Sequence, residues 1–270
     1  PIMAKIVIDA SGVAAVCSRL VKPDGETPLN QKGKVVAGMQ YELLEAPTDD
    51  YLDFYIWPSY AEKGYLWMIP KCDGRANVGL VTEDKPRTKK ALDEFIANTH
   101  FRDSEQTLPP WKEKGSPAFG GTIPISGPFE RTHYDGLILV GDAAGFTSPL
   151  FEGGSHLALK SAVFAANTAA NAISEGDLTS KRLSEYTRLW KAEFPPYDKI
   201  LRGKTALFEL SDEEMSVMAT CFPDEMSEMG ITGKAMVGLR LLFRKPALYF
   251  KRIVPAMLAF GYSRAKYYGW

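Results

Sequence analysis

The sequence predicts an α/β fold: a core of strands and helices, interrupted by an inserted antiparallel sheet and followed by a helical C-terminal region. Three observations carry this. Short unbroken apolar runs at residues 6–8 and 137–140 each run into a turn bearing aspartate and glycine, the pattern of a strand buried within a sheet. Between them, residues 39–81 alternate apolar or aromatic side chains with polar or small ones, which means half-buried antiparallel strands. From residue 155 onward the apolar spacing is helical.

In chain order, residues 6–10 read as a buried strand that stops at Asp9-Ala10-Ser11-Gly12. Residues 21–34, rich in Pro, Gly, Lys and Asn, read as a loop or linker. Met39, Tyr41 and Leu43 then face one way against Gly38, Gln40 and Glu42, and Leu52, Phe54 and Ile56 repeat the alternation. Residues 65–70 and 76–81 continue the sheet across an Asp73-Gly74 hairpin turn. Residues 88–98 have helical spacing, with Leu92, Phe95 and Ile96 on one face. Residues 119–125 return to a strand, and Asp135-Gly136 turns the chain into Leu137-Ile138-Leu139-Val140, a central strand covered on both faces. An alanine-rich helix follows over residues 155–173, and from residue 183 the chain reads as helices broken at Pro195-Pro196, Pro223, Gly230 and Pro246. The expected division is core over 1–20 and 119–182, sheet domain over 21–118, and helical region over 183–270.

Composition narrows the function. The 270 residues are 45% hydrophobic and 24% charged, ordinary for a globular chain, and long enough for more than one domain. A net charge of −1 gives no pull toward nucleic acid. The charge is uneven, however: after Glu228 come Lys234, Arg240, Arg244, Lys245, Lys251, Arg252, Arg264 and Lys266 with no further acid. Cys17, Cys72 and Cys221 lie far apart, which excludes a disulfide framework and a four-cysteine metal site within one chain and points to a reducing, cytoplasmic compartment. His100, His133 and His156 are too scattered to form a metal constellation. No apolar run reaches the roughly 18 residues of a membrane span, since residues 253–261 are half that and contain Pro255. The chain starts at Pro1 and runs at once into Ile6-Val7-Ile8, which reads as a piece whose start is missing.

The most specific signal is Gly141-Asp142-Ala143-Ala144-Gly145-Phe146-Thr147-Ser148-Pro149, followed by Phe151-Glu152-Gly153-Gly154. A carboxylate at the carboxyl end of a buried strand sits where open α/β sheets bind ligands. Asp142 can accept hydrogen bonds from sugar or ribitol hydroxyls, and Gly141 and Gly145 allow close backbone approach. Gly153-Gly154 opens the long helix, whose free N–H groups and positive dipole end favour negative charge. Gly-Asp-Ala alone is also an ordinary strand-to-helix turn. The whole string, with Pro149 and the glycine pair in register, is what selects a flavin site.

This stretch resembles the second FAD motif of flavoproteins related to para-hydroxybenzoate hydroxylase. Tyr65-Leu66-Trp67-Met68-Ile69-Pro70-Lys71, then Asp73-Gly74-Arg75-Ala76-Asn77-Val78-Gly79, is similar to the Tyr-x-Trp-x-Phe-Pro-Lys signature of geranylgeranyl reductases, with Ile69 at the Phe position. Asp9-Ala10-Ser11-Gly12 resembles the family's middle FAD motif, which closes over the pyrophosphate and ribose side. The resemblance spans residues 1–175 and implies a partial FAD-binding Rossmann-like core, with the inserted sheet binding substrate. It implies FAD contacts at Asp9, Ala10, Gly12, Gly141, Asp142, Gly153 and Gly154, and an isoprenoid chain held beside the flavin by Tyr65, Trp67, Ile69 and Pro70. The implied reaction is hydride delivery from reduced flavin to a C=C bond of a geranylgeranyl chain on a prenyl lipid, fed by NAD(P)H or a ferredoxin-type donor. The proton source is not assigned. The glycine-rich G-x-G-x-x-G turn that a dinucleotide site needs does not occur here; the family places it before the segment where this chain starts.

Bland alternatives stand beside these roles. Tyr65, Trp67 and Ile69 on one strand face make sheet core or the wall of an apolar tunnel. Lys71 is solvated or paired with an acid, Cys72 is a small thiol or a proton donor, His156 is a candidate to face the cofactor, and His100 and His133 belong to the surface. The end of the chain mixes Lys and Arg with Phe243, Tyr249, Phe250, Tyr262, Tyr267, Tyr268 and Trp270, which suits peripheral docking on an anionic membrane or a solvated helix. The rival activity is a flavin-dependent monooxygenase acting on an aromatic substrate. Aromatic hydroxylases often place His after Gly-Asp-Ala-Ala, whereas this chain has Gly145-Phe146 there, which favours the reductase.

Overall fold

A computed structural model describes residues 2–20, 34–46, 51–99, 107–109, 117–222 and 230–263. His100, the side chains of Cys72 and Lys234, most of the loop expected over 21–34, and residues 264–270 lie outside the described residues. The strands are β1 (Val7–Asp9), β2 (Val35–Leu43), β3 (Asp53–Tyr55), β4 (Tyr65–Pro70), β5 (Ala76–Thr82), β6 (Phe119–Pro124), β7 (His133–Tyr134) and β8 (Leu137–Leu139). The helices are α1 (Val16–Leu20), α2 (Thr88–Asn98), α3 (Ser155–Glu175), α4 (Ser180–Glu193), α5 (Tyr197–Phe208), α6 (Asp212–Ala219) and α7 (Ile231–Arg244). A helical turn Pro246–Leu248 and a π-helical turn Tyr249–Ile253 then lead into α8 (Val254–Ser263). The chain divides into two compact units: Pro1–Val35 with Ile123–Lys204 and Met257–Trp270, and Val36–Thr122 with Thr205–Ala256.

The first unit is built on a three-stranded sheet in the order β1-β8-β7, with β8 parallel to β1 and antiparallel to β7. Flanked on both sides, β8 is buried at Leu137, Ile138 and Leu139, as its unbroken apolar run requires. Ala165, Ala169 and Ala172 of α3 join the same buried cluster as this strand. Leu183, Tyr186 and Trp190 of α4 complete the core, in which each fully buried large apolar side chain contributes about 1.5–3 kcal/mol. The polar ends of the buried aromatics are satisfied: Tyr186 donates to the Leu139 carbonyl at 2.7 Å and the Trp190 indole N–H to Thr132 Oγ1 at 3.0 Å. Residues 7–9 form the expected strand β1, and in this chain Val7 is 44% and Ile8 40% exposed. Among the described residues its hydrogen-bonded neighbour in this sheet is β8.

The second unit carries a five-stranded sheet in the order β3-β4-β5-β2-β6. β4 pairs antiparallel with both β3 and β5, and β5 with β2. Leu66 and Met68 of β4, Val78 and Leu80 of β5, and Tyr41 and Leu43 of β2 face α2, which closes the core with Ala91, Leu92, Phe95 and Ile96. The β4–β5 turn has both Asp73 (φ 66°) and Gly74 (φ 68°) in the left-handed region, the geometry that matches the twist of a tight hairpin. One helix break was not expected: α5 ends before Ser211, where a capping box begins α6, Ser211 accepting from the Glu214 N–H and Glu214 accepting from the Ser211 N–H. Val237 and Leu241 of α7 bury with Ile253 and Cys221.

Candidate functional site

In the first unit the carboxyl ends of β1 and β8 lie side by side, with the Val140 N–H donating to the Asp9 carbonyl at 3.0 Å. Two loops therefore leave adjacent parallel strands at the end where such sheets bind ligands, and their 3-10 turns, Gly12–Ala14 and Gly141–Ala144, pack together.

Asp9 is buried, and its carboxylate folds the first loop. It accepts from the Ser11 N–H at 2.9 Å, the Ser11 hydroxyl at 2.5 Å and the Cys17 N–H at 2.8 Å. Ala10 is exposed and Gly12 half-buried on the surface that this carboxylate shapes. Burial alone would raise the Asp9 carboxyl, but the hydrogen bonds from Ser11, Cys17 and Ser18 outweigh it and hold the group below its ordinary value. The linkage follows from that direction. Because the folded value is depressed, the stabilisation is complete above the unfolded aspartate value of about 3.9 and is lost as pH falls through the folded one. Asp9→Asn is therefore expected to flatten the acid limb of a stability–pH curve measured by denaturant titration. A variant with the wild-type acid limb would show that Asp9 is not a source of it.

Asp142 is half-buried, and its Oδ1 accepts from the Thr147 hydroxyl at 2.9 Å. The Ser148 N–H donates to the Gly153 carbonyl at 2.9 Å, which folds residues 148–153 back on themselves. That return brings Gly154 to the aspartate: a Cβ there would lie 3.3 Å from Asp142 Oδ1 and crowd the carboxylate. Gly145 is required for an internal reason. With φ at +77°, a Cβ there would meet the Gly127 carbonyl at 2.3 Å, so its close approach is to the chain itself. Gly154 caps α3 without any side-chain hydrogen bond, and the first turn contains no acidic residue. The first N–H groups of a 21-residue helix thus meet no capping side chain beside a half-exposed carboxylate. This donor and acceptor set fits a flavin nucleotide, with hydroxyls to satisfy Asp142 and an anionic ring edge to satisfy the helix start.

The structure thus brings Asp9, Ala10, Gly12, Gly141, Asp142, Gly153 and Gly154 into one cluster of the first unit. Tyr65, Trp67, Ile69 and Pro70 belong to the second unit, on β4. Tyr65, Trp67 and Ile69 occupy the sheet face opposite Leu66 and Met68. Tyr65 is buried, with its ring 5.4 Å from Phe54, 5.8 Å from Trp67 and 6.2 Å from Phe208, while Trp67, Ile69 and Pro70 are half-buried.

Two residues that sequence reasoning missed hold Trp67. Gly79 is its register partner on β5, and a Cβ there would lie 2.4 Å from the indole, so the ring lies flat across the neighbouring strand. Beyond it, Gln40 of β2 accepts the indole N–H at 3.2 Å. Lys71 and Arg75 both bond Glu42, whose carboxyl is held below its ordinary value first by Lys71 and then by Arg75 against partial desolvation. His156 is exposed. His133, expected at the surface, is half-buried with Nδ1 2.8 Å from Thr187 Oγ1; burial lowers its pKa, as does the charge of Arg131. Among the described residues, no group of three or more His, Cys, Asp or Glu side chains is placed to hold a metal ion.

A family model described as the geranylgeranyl reductase catalytic domain matches residues 35–109. The digeranylgeranylglycerophospholipid reductase of Methanocaldococcus jannaschii is 35% identical over 261 residues, covering 94% of this chain and 63% of its own length. Digeranylgeranylglycerophospholipid reductase 2 of Methanothermobacter thermautotrophicus is 34% identical, covering 79% of this chain and 53% of its own. This chain therefore spans about three fifths or less of these relatives. Among solved structures, a geranylgeranyl bacteriochlorophyll reductase-like protein from Thermoplasma acidophilum superposes with a TM-score of 0.73 at 25% identity, covering 93% of this chain and 62% of that one. The flavin-dependent brominase Bmp2 shares the fold at a TM-score of 0.54 and 17% identity, with the same coverage of each chain.

Proposed function

This chain belongs to the geranylgeranyl reductase family, and on that premise we propose that the complete protein is an FAD-dependent reductase of C=C bonds in the geranylgeranyl chains of a polar prenyl lipid. The observation that carries the reading is the meeting of Asp142, Gly154 and the uncapped start of α3 at the carboxyl ends of parallel strands. FAD, when bound, supplies the hydride; the protein supplies orientation and electrostatics. Asp142 accepts ribitol hydroxyls, and the N–H groups that follow Gly153 and Gly154 stabilise negative charge on the flavin ring. Asp9 shapes the loop through which Ala10 and Gly12 meet the pyrophosphate and ribose side. Tyr65, Trp67, Ile69 and Pro70 bind the isoprenoid chain through an apolar strand face, on which Gly79 and Gln40 fix the indole. Reducing equivalents come from NAD(P)H or a ferredoxin-type donor. The lipid is met at the cytoplasmic face of an anionic membrane, through the basic and apolar surface near the C-terminal end.

The test is anaerobic turnover of a geranylgeranyl lipid by the complete protein with a chemical reductant, read as mass gain of 2 Da per double bond, a quantity set by the two hydrogens added. Oxygen-dependent hydroxylation of an aromatic compound, with no lipid reduction, would replace this reading by a monooxygenase. Trp67→Ala sharpens the assignment of the strand. Turnover of long-chain substrate is expected to fall about tenfold or more, equivalent to roughly 1.4 kcal/mol of lost contact, with flavin content retained. Parallel loss of folding and flavin content would instead give the residue a packing role alone.

A further inference from the structure

We propose that the buried ion pair between Glu152 and Lys204 is a positioning device that fixes the glycine loop at the start of α3; its consequence for flavin binding rests on the reading above. Lys204 Nζ meets Glu152 Oε1 with the two side chains only 5% and 3% exposed. Both residues lie in the first unit, Glu152 immediately before Gly153-Gly154 and Lys204 on α5. Glu152 is one of the few non-glycine residues with positive φ, at +51°, a conformation that glycine adopts freely and a glutamate does not.

Two unfavourable features therefore coincide at one residue. A charged pair is removed from water, and its acidic member is held in a disfavoured backbone state. Glycine relieves the backbone, and an apolar residue of similar volume replaces the lysine without desolvating a charge. What the pair does supply is a tether. Two successive glycines are conformationally permissive, and the second of them lies beside Asp142. The Ser148–Gly153 hydrogen bond closes that loop on itself, whereas Lys204 ties it to a separate helix. Fixing Glu152 fixes the direction in which the following peptide groups leave, so the N–H groups at the helix start are held in place before any anion arrives.

The experiment compares the wild-type complete protein with E152Q, K204M and the double variant E152G/K204M. Each single variant breaks the charge pairing of two side chains that are 5% and 3% exposed, and both are expected to lower the melting temperature. The double variant is expected to regain it. Amide hydrogen exchange is then read at residues 153–157 at matched stability. We expect exchange at least tenfold faster in the double variant than in the wild type, and an FAD dissociation constant raised at least tenfold. Wild-type protection at these amides in the double variant overturns the proposal. Should the glycine substitution itself unfold the protein, E152Q/K204M keeps the side-chain volume and is read by the same exchange measurement. Asp142→Ala, titrated with FAD in parallel, separates the two ideas. If its affinity equals that of the wild type, the flavin assignment fails, while loop exchange still decides the role of the pair.

Discussion

Asp142→Ala in the complete protein is expected to weaken FAD binding by roughly ten- to a hundredfold for each ribitol hydroxyl the carboxylate holds. Hydrogen bonds to a charged group contribute about 1.5–3 kcal/mol each, and about 1.4 kcal/mol is a factor of ten. The structure adds a confounding term, because Asp142 Oδ1 also accepts from Thr147 at 2.9 Å and so helps hold the loop that returns Gly154 toward it. Thr147→Ala removes that internal bond and keeps the carboxylate. Its effect is expected to stay below tenfold, since a neutral hydroxyl bonded to a half-exposed carboxylate exchanges readily for water. Equilibrium titration of flavin-stripped protein measures both. Unchanged FAD occupancy in Asp142→Ala after dialysis would remove the aspartate from the site. Equal losses in the two variants would reassign it from flavin contact to loop architecture.

Much of this arrangement was legible in the sequence where a local period or a turn rule determines structure. Residues 88–98 form a helix because Leu92, Phe95 and Ile96 share one face, and they bury as that spacing requires. Asp73-Gly74 turns because its residue types tolerate positive φ. What escaped was set by partners remote in sequence. Gln40 and Gly79 seat Trp67 only through the register of three strands, which no single segment encodes. The Glu152–Lys204 pair spans 52 residues, and nothing in the letters around Glu152 announces a left-handed backbone. The break before α6 was available locally, in Ser211 and Glu214 at capping-box spacing, but apolar residues continue on both sides and mask it to a reading based on period. The apolar run at residues 6–8 was legible as a strand from its own residues, and it pairs in parallel with β8.

Binding to anionic vesicles, lost at high salt, is the second large effect expected of the complete protein. Among the described residues no helix is long and apolar enough to cross a membrane. The expectation of surface docking rests on the proposed lipid substrate. The second unit offers a suitable face. Met236, Leu239 and Phe243 of α7 are 53%, 52% and 80% exposed at spacings of three and four residues, which places them on one side of the helix. Phe250, 63% exposed, lies in the π-helical turn that follows. Arg240, Arg244, Lys245 and Lys251 are interleaved with them; Arg244 also donates to Thr220 Oγ1 at 3.4 Å, and Arg252 is paired with Glu209 at 2.8 Å. Each basic residue near an anionic surface contributes on the order of 1 kcal/mol within a Debye length, so four supply roughly 4 kcal/mol, close to a thousandfold in partition coefficient. Deleting the whole end of the chain is a poor test, because Leu241 and Ile253 are buried and their loss would disturb the fold. Charge reversal at Arg240, Lys245 and Lys251 leaves that cluster intact and is expected to abolish sedimentation with phosphatidylserine-containing vesicles at low salt. Phe243→Ser, which removes the most exposed apolar anchor on α7, is expected to weaken binding while preserving its salt dependence. Equal pelleting of the wild type with neutral and anionic vesicles would overturn the electrostatic term. Absence of binding to either at low salt would eliminate this face as the docking surface and leave the flavin assignment untouched, because Asp142 and the start of α3 belong to the other unit.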